Sequence, residues 1–309
     1  MRVGIVILPQ FDWPEAARYW RGAEERGFDH AWTYDHLSWR SLAGERWHAT
    51  VPTLTAAAMV TEHIRLGTFV ASPNYRHPVP FAKDIATVDQ VSGGRVLLGL
   101  GSGGTGFDAH VMAQPELTPR ERVDRFADFT AALDQLLRFE GEGRADASGG
   151  ISHEGAWYTA RDARMVGEPA QVPRMPFIVA ANGPRALRIA VTHGQGWVTT
   201  GPYVGASDAD WWRAVGDLSA RLDDACAAAG RDPSSIERHL SLDRDESYAM
   251  RSVDAFEEAV GLARERGFTD VITHWPRTSG IHAGDERVLD EVASRLDAIR
   301  ADGAPADRG

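Results

Sequence analysis

The 309-residue sequence has one cysteine, Cys226, inside the helical run Leu218 to Ala229. A single thiol excludes a disulfide framework and points to a reducing compartment, so a cytoplasmic location is expected. No uninterrupted apolar stretch reaches membrane-spanning length. Met1-Arg2-Val3-Gly4-Ile5 enters a strand-like run directly, without a charged-then-apolar signal segment. No membrane partner is expected. Basic residues are the minority, 33 against 44 acidic, for a formal net charge of −11. Such a balance speaks against a nucleic-acid backbone as partner. The acidity is spread over many helix faces, as on an ordinary solvated surface. Hydrophobic residues make up 43% and charged residues 25%, and a chain of this length can bury a large core without staples.

Strand and helix patterns alternate from end to end. Arg2 to Leu8 reads as a buried parallel strand, followed by a helix opened by Asp12 and Pro14 and ended by Gly27. Further strands are predicted over Phe28 to Tyr34, Ile64 to Ala71, Arg95 to Leu100, Pro176 to Ala181, Gly196 to Thr200, Ile236 to Leu242 and Phe268 to His274. Helices follow each, the last from Asp285 to Arg300. Eight strand–helix pairs match a (β/α)8 TIM barrel, with a doubly wound sheet as the competing architecture. A single domain over residues 1–300 is expected, with a flexible tail over 301–309. The stretch from Glu140 to Met175 lacks helical periodicity and reads as an insertion between the fourth helix and fifth strand. Ser152 to Thr159 could form a small hairpin within it.

Barrel active sites gather at the C-terminal ends of the strands, so residues just past each strand are the candidates. Asp35-His36, with Trp39 and Trp47-His48 nearby, follows the second strand. An imidazole there can exchange a proton near neutral pH, and an adjacent carboxylate can set its tautomer or bind a ring edge. The pair could equally stabilise its loop, and the tryptophans could equally be packing. Gly99-x-Gly101-x-x-Gly104 formally matches the dinucleotide fingerprint, which requires a helix at once; Gly106, Pro115 and Pro119 delay it, so the match is a decoy. Ala181-Asn182-Gly183-Pro184 instead leads straight into a helix, whose N-terminal amides form an anion site. Thr199-Thr200-Gly201 could add hydroxyls. The alternative is a simple strand–helix turn.

At these residues the sequence resembles the luciferase-like superfamily over nearly its whole length. The resemblance is strongest from Ile64-Arg65-Leu66-Gly67-Thr68 through His77-Pro78, at Ala86-Thr87-Val88-Asp89, and from Ser92-Gly93-Gly94-Arg95 to Gly101. Ala180-Ala181-Asn182-Gly183-Pro184 with Gly194-Gln195-Gly196-Trp197 looks like the family's phosphate region. Asp35-His36 with Trp39 is similar to the group that uses coenzyme F420, a 5-deazaflavin exchanging hydride with a substrate carbon. The resemblance implies catalytic roles for His36, Asp35 and Trp39. It also implies a non-prolyl cis peptide within Phe69 to Ser72. With the loop reading, the expected cofactor contacts are Asp35, His36, Ala71, Ser72, Gly101, Ser102, Gly103, Ala181, Asn182, Gly183, Pro184 and Thr199. One departure is visible. The sugar-phosphate dehydrogenases of this group place a glutamate where this chain has Gly104; Asp108 or His110 could stand in for it.

The expected activity is hydride transfer between F420 and a small organic substrate, in a chain that could form a homodimer. The main alternative is an FMN-dependent monooxygenase on the same barrel, supplied by a separate flavin reductase. A metal-dependent barrel hydrolase fits poorly: the first strand lacks a His-x-His pair and no histidine or cysteine cluster has metal spacing, so no metal is expected. A non-catalytic homologue is the last alternative, since fold does not fix activity.

Overall fold

The computed structural model describes residues 1–104, 107–138, 150–202, 207–244 and 247–302. Apolar runs and amphipathic runs alternate as β1 (Arg2–Val6), α1 (Trp13–Glu25), β2 (His30–Thr33), α2 (Thr50–Ala58), β3 (Arg65–Thr68), α3 (Pro78–Ser92) and β4 (Val96–Leu100). There follow α4 (Phe107–Val111), α5 (Pro119–Leu137), β5 (Ile151–Glu154), β6 (Thr159–Ala163), β7 (Phe177–Ala180), α6 (Pro184–His193), β8 (Gly196–Thr199) and α7 (Asp208–Ala228). The chain continues through β9 (Glu237–Ser241), α8 (Val253–Glu265), β10 (Asp270–His274), α9 (Glu286–Ala293) and α10 (Leu296–Ala301). Local chemistry sets several ends. Thr118 and Glu121 form a reciprocal capping box at the start of α5, and Gly93 takes the left-handed conformation (φ 67°) that stops α3.

All strands except β5 and β6 pair in parallel and close a barrel in the order β1-β10-β9-β8-β7-β4-β3-β2. The first strand meets the last, Arg2–Val6 in register with Asp270–His274. Closure excludes a doubly wound sheet, which would leave two open edges. Side chains alternate across the barrel wall, as the pleat requires. Val3, Ile5 and Ile7 pack outward against helices, while Val6 and Leu8 join Trp32, Leu97, Ile178, Val198 and Ile272 in the interior. The large Trp32 and His30 fit inside because their neighbours are small. A Cβ on Gly67 would lie 2.3 Å from the Trp32 ring, and one on Gly4 would lie 1.9 Å from His30. Removing a buried aromatic of this size typically costs about 3–5 kcal/mol.

The structure refines three sequence expectations. The hairpin is longer than Ser152 to Thr159, pairing Ile151–Glu154 with Thr159–Ala163. The last helix divides into α9 and α10, and the five-residue α4, too short to show periodicity, interrupts the loop after β4. Residues 139–149 and 303–309, parts of the expected insertion and tail, lie outside the described residues. Among the described residues no helix is long and apolar enough to cross a membrane.

Candidate active site

The loops beyond β2, β3, β4, β7 and β10 carry the candidate residues. Asp35, fully buried, is committed to protein partners. It accepts hydrogen bonds from the Tyr75 hydroxyl (2.7 Å) and Arg76 Nε (2.7 Å), and Arg76 Nη2 reaches its other oxygen. Burial, then the charge of Asp35, pushes the Tyr75 hydroxyl pKa upward. Burial would lower the Arg76 pKa, but the bond and charge of Asp35 override it and keep the guanidinium protonated. Asp35 therefore ties the loop after β2 to the loop after β3. Both its oxygens accept hydrogen bonds from that loop, which gives it an anchoring position.

His36 points the other way. Its Nδ1 lies 2.7 Å from Asp108 Oδ2, and the second oxygen of that buried carboxylate accepts the Leu37 amide at 2.7 Å. The Trp39 ring lies 4.7 Å from the imidazole and 5.1 Å from the Tyr34 ring. Trp47 donates from its indole nitrogen to the His36 carbonyl at 2.8 Å, fixing the backbone that presents the imidazole. His48 and His77 are exposed, the latter accepting the Val79 amide as the cap of α3.

After β3 the Phe69–Val70 peptide is cis, within the span the family resemblance indicates. Ala71 and Ser72 follow, both buried, with Ala71 bridged to Leu100. The glycines after β4 serve this crossing. A Cβ on Gly99 would meet the Thr68 carbonyl at 1.9 Å and one on Gly101 the Val70 side chain at 2.6 Å. Gly103 has φ 69° beside Asn74, and Ser102 is half-buried next to it. Their spacing thus answers a packing need between strands, although a short helix, α4, follows sooner than the sequence reading expected.

After β7, the strand beside β4 in the barrel, Gly183 caps α6 with Pro184 at the first position and no side-chain cap. A Cβ on Gly183 would meet nothing within 4 Å. This is open space beside helix amides, the cradle a phosphate needs. Thr199 donates to Asn182 Oδ1 (2.7 Å) and accepts the Gly201 amide (2.9 Å), while Asn182 Nδ2 donates to the Gly201 carbonyl (3.2 Å). Thr199 thus orients Asn182. Buried Ala181 uses its carbonyl to accept the Trp197 indole at 2.6 Å.

The luciferase-like monooxygenase family model matches residues 1–306. The chain belongs to this family. It is 30% identical to the F420-dependent glucose-6-phosphate dehydrogenase of Beutenbergia cavernae, over 89% of this chain and 91% of that protein. It is also 30% identical to the F420-dependent hydroxymycolic acid dehydrogenase of Mycobacterium tuberculosis, over 94% and 81%. The coenzyme F420-dependent tetrahydromethanopterin reductase of Methanopyrus kandleri shares the fold, with a TM-score of 0.69 at 20% identity over 96% of this chain and 98% of that one.

In this luciferase-like barrel the fold also assembles groups that sequence spacing does not disclose. Tyr34 bonds to His274 Nε2 at 2.8 Å, and His274 Nδ1 lies 2.7 Å from buried Asp243. His282 stacks on His274 at 3.8 Å and 9°. Burial, then the charge of His274, pushes the His282 pKa down to about 3. At the other end of the barrel His30, His239 and Asp270 come together. In each group a histidine already holds the carboxylate, His274 to Asp243 at 2.7 Å and His30 to Asp270 at 3.0 Å. The one available signal was position: Tyr34, Asp243 and His274 all sit at or just past a strand end.

Proposed function

We propose that this protein is an oxidoreductase transferring hydride between coenzyme F420 and a small alcohol or carbonyl compound. The observation that carries the reading is the His36–Asp108 pair, 2.7 Å apart beside Trp39 at the barrel mouth. The residues fit the coenzyme: the Gly183 cradle suits a phosphate, and the Tyr34, Trp39 and Phe69 rings suit a planar ring system. F420, when bound, supplies a ring carbon that takes or gives the hydride. His36 Nε2 accepts the hydroxyl proton as an alcohol is oxidised and returns it in the reverse direction. Asp108 holds the ring, Asp35 positions the loop through Arg76 and Tyr75, and Asn182 with Gly183 holds the phosphate. The relatives named F420-dependent support this coenzyme over FMN. A cytoplasmic homodimer completes the reading; a separate flavin reductase would accompany only the FMN alternative.

The test is to incubate the protein and oxidised F420 with a panel of secondary alcohols and follow loss of the deazaflavin absorbance. Bleaching that His36→Asn abolishes is the expected result. Oxygen consumption with reduced FMN, and no F420 turnover, would overturn the proposal.

A further inference from the structure

Arg125, in the second turn of α5, is 7% exposed. Its guanidinium donates to Gln114 Oε1 (3.1 Å) and to Asn74 Oδ1, both neutral, and its Nε has no hydrogen-bond partner among the described residues. No carboxylate lies within ion-pair distance of it among those residues. The other buried arginines, Arg174 and Arg238, each hold an aspartate, Asp134 and Asp223, and partly buried Arg76 holds Asp35. Arg95 saturates itself on the carbonyls of Ala58, Thr61, Ile64 and Ser92 and on the Thr61 hydroxyl. A buried cation without a counter-ion is costly to keep charged, because its lost hydration is not replaced. Burial, with the nearby Arg122 charge adding to it, presses the Arg125 pKa downward.

A cavity of about 140 Å³ opens at this cation, lined by Arg125, Arg122, Asn74, Gly104, His110 and Gln114. Exposed Glu116 also lines it but forms no ion pair with either arginine among the described residues. His110, on its wall, belongs to the same short helix α4 as Asp108. It is built from the loops after β3 and β4, distinct from the Gly183 cradle after β7.

We propose that this cavity is an oxyanion site, taking a carboxylate or phosphate carried by the substrate, or a carboxylate on the tail of the coenzyme. Arg125 and Arg122 supply the missing ion pair, and Gln114 and Asn74 hold Arg125 in place. Only the identity of the carrier rests on the function proposed above.

The test titrates inorganic phosphate into the F420-loaded protein by calorimetry at constant ionic strength. Loading keeps the Gly183 cradle occupied. Saturable binding is expected, weakened at least about tenfold in Arg125→Gln, the loss of one charged contact. Arg122→Gln, on the rim, should weaken it severalfold and covers the case in which Arg125→Gln does not fold. The same titration on protein loaded with the deazaflavin lacking its phosphate-bearing tail separates the carriers. Equal phosphate affinity in both forms assigns the site to a substrate oxyanion; binding only without the tail, weakened in Arg125→Gln or Arg122→Gln, assigns it to the coenzyme, since binding at the vacated Gly183 cradle would not respond to either variant. Absence of saturable binding in both forms, or binding unchanged in Arg122→Gln and in folded Arg125→Gln, overturns the site. If F420 does not bind, the functional proposal fails, and the same titrations on the unloaded chain decide this site separately.

Discussion

His36 and Asp108 face each other across 72 residues of sequence, with Nδ1 and Oδ2 2.7 Å apart. An ionised carboxylate only accepts, so Nδ1 carries the hydrogen and Nε2 keeps its lone pair for a substrate hydroxyl. In Asp108→Asn an amide NH2 can face Nδ1 and favour the opposite tautomer. The single-turnover hydride rate should fall by about 10²–10⁴, the usual worth of general acid–base assistance, with F420 affinity largely kept. His36→Asn should do the same. Stopped-flow deazaflavin absorbance checks both. An unchanged rate in saturated His36→Asn makes His36 a binding residue only.

Asp35 should matter for stability. Asp35→Ala strands the Arg76 guanidinium, 12% exposed at its side chain, without its carboxylate. Breaking a buried pair on one side costs about 3–5 kcal/mol. Urea denaturation should show a loss of that order. Wild-type stability with a lost hydride rate would instead place Asp35 in the chemistry.

Gly183→Val should fold normally, because φ is −92° and a Cβ there meets nothing within 4 Å beyond its chain neighbours. It should occupy the phosphate cradle and weaken F420 binding, read by fluorescence titration. Unchanged affinity in the folded variant would remove the phosphate from this loop.

The stacked histidines give a pH signature. His282 titrates near 3 in the folded chain, against about 6.5 when unfolded. Between those values the unfolded chain binds more protons, so stability falls as pH drops below about 6.5 and the effect is absent above it. His282→Asn, a residue type that tolerates the φ of 60° here, should flatten the fall in Tm between pH 6.5 and 4 relative to wild type. Parallel Tm curves would remove His282 from the acid response.

The barrel was legible because each strand is an apolar run punctuated by Gly, Pro or a cap, and the strand ends named the mouth. His36 and Trp39 could be found as neighbours in sequence. That the two adjacent residues have different partners, Asp35 on Arg76 and His36 on Asp108, was not legible, because neighbours at a strand end point to opposite sides. Asp108 was legible only as a substitute acid, since nothing local marks a carboxylate that reaches back to β2. The Tyr34–His274–Asp243 chain joins three strand ends whose order around the barrel appears only on closure. The division of α9 from α10 near Ser294 carries no Gly or Pro to announce it.

Equilibrium fluorescence titration of the purified protein with F420 and with FMN, in parallel, tests the central claim most directly. F420 should bind markedly tighter, and Gly183→Val should weaken that binding. FMN binding far more tightly than F420 would contradict the deazaflavin assignment and return the chain to the flavin monooxygenase reading.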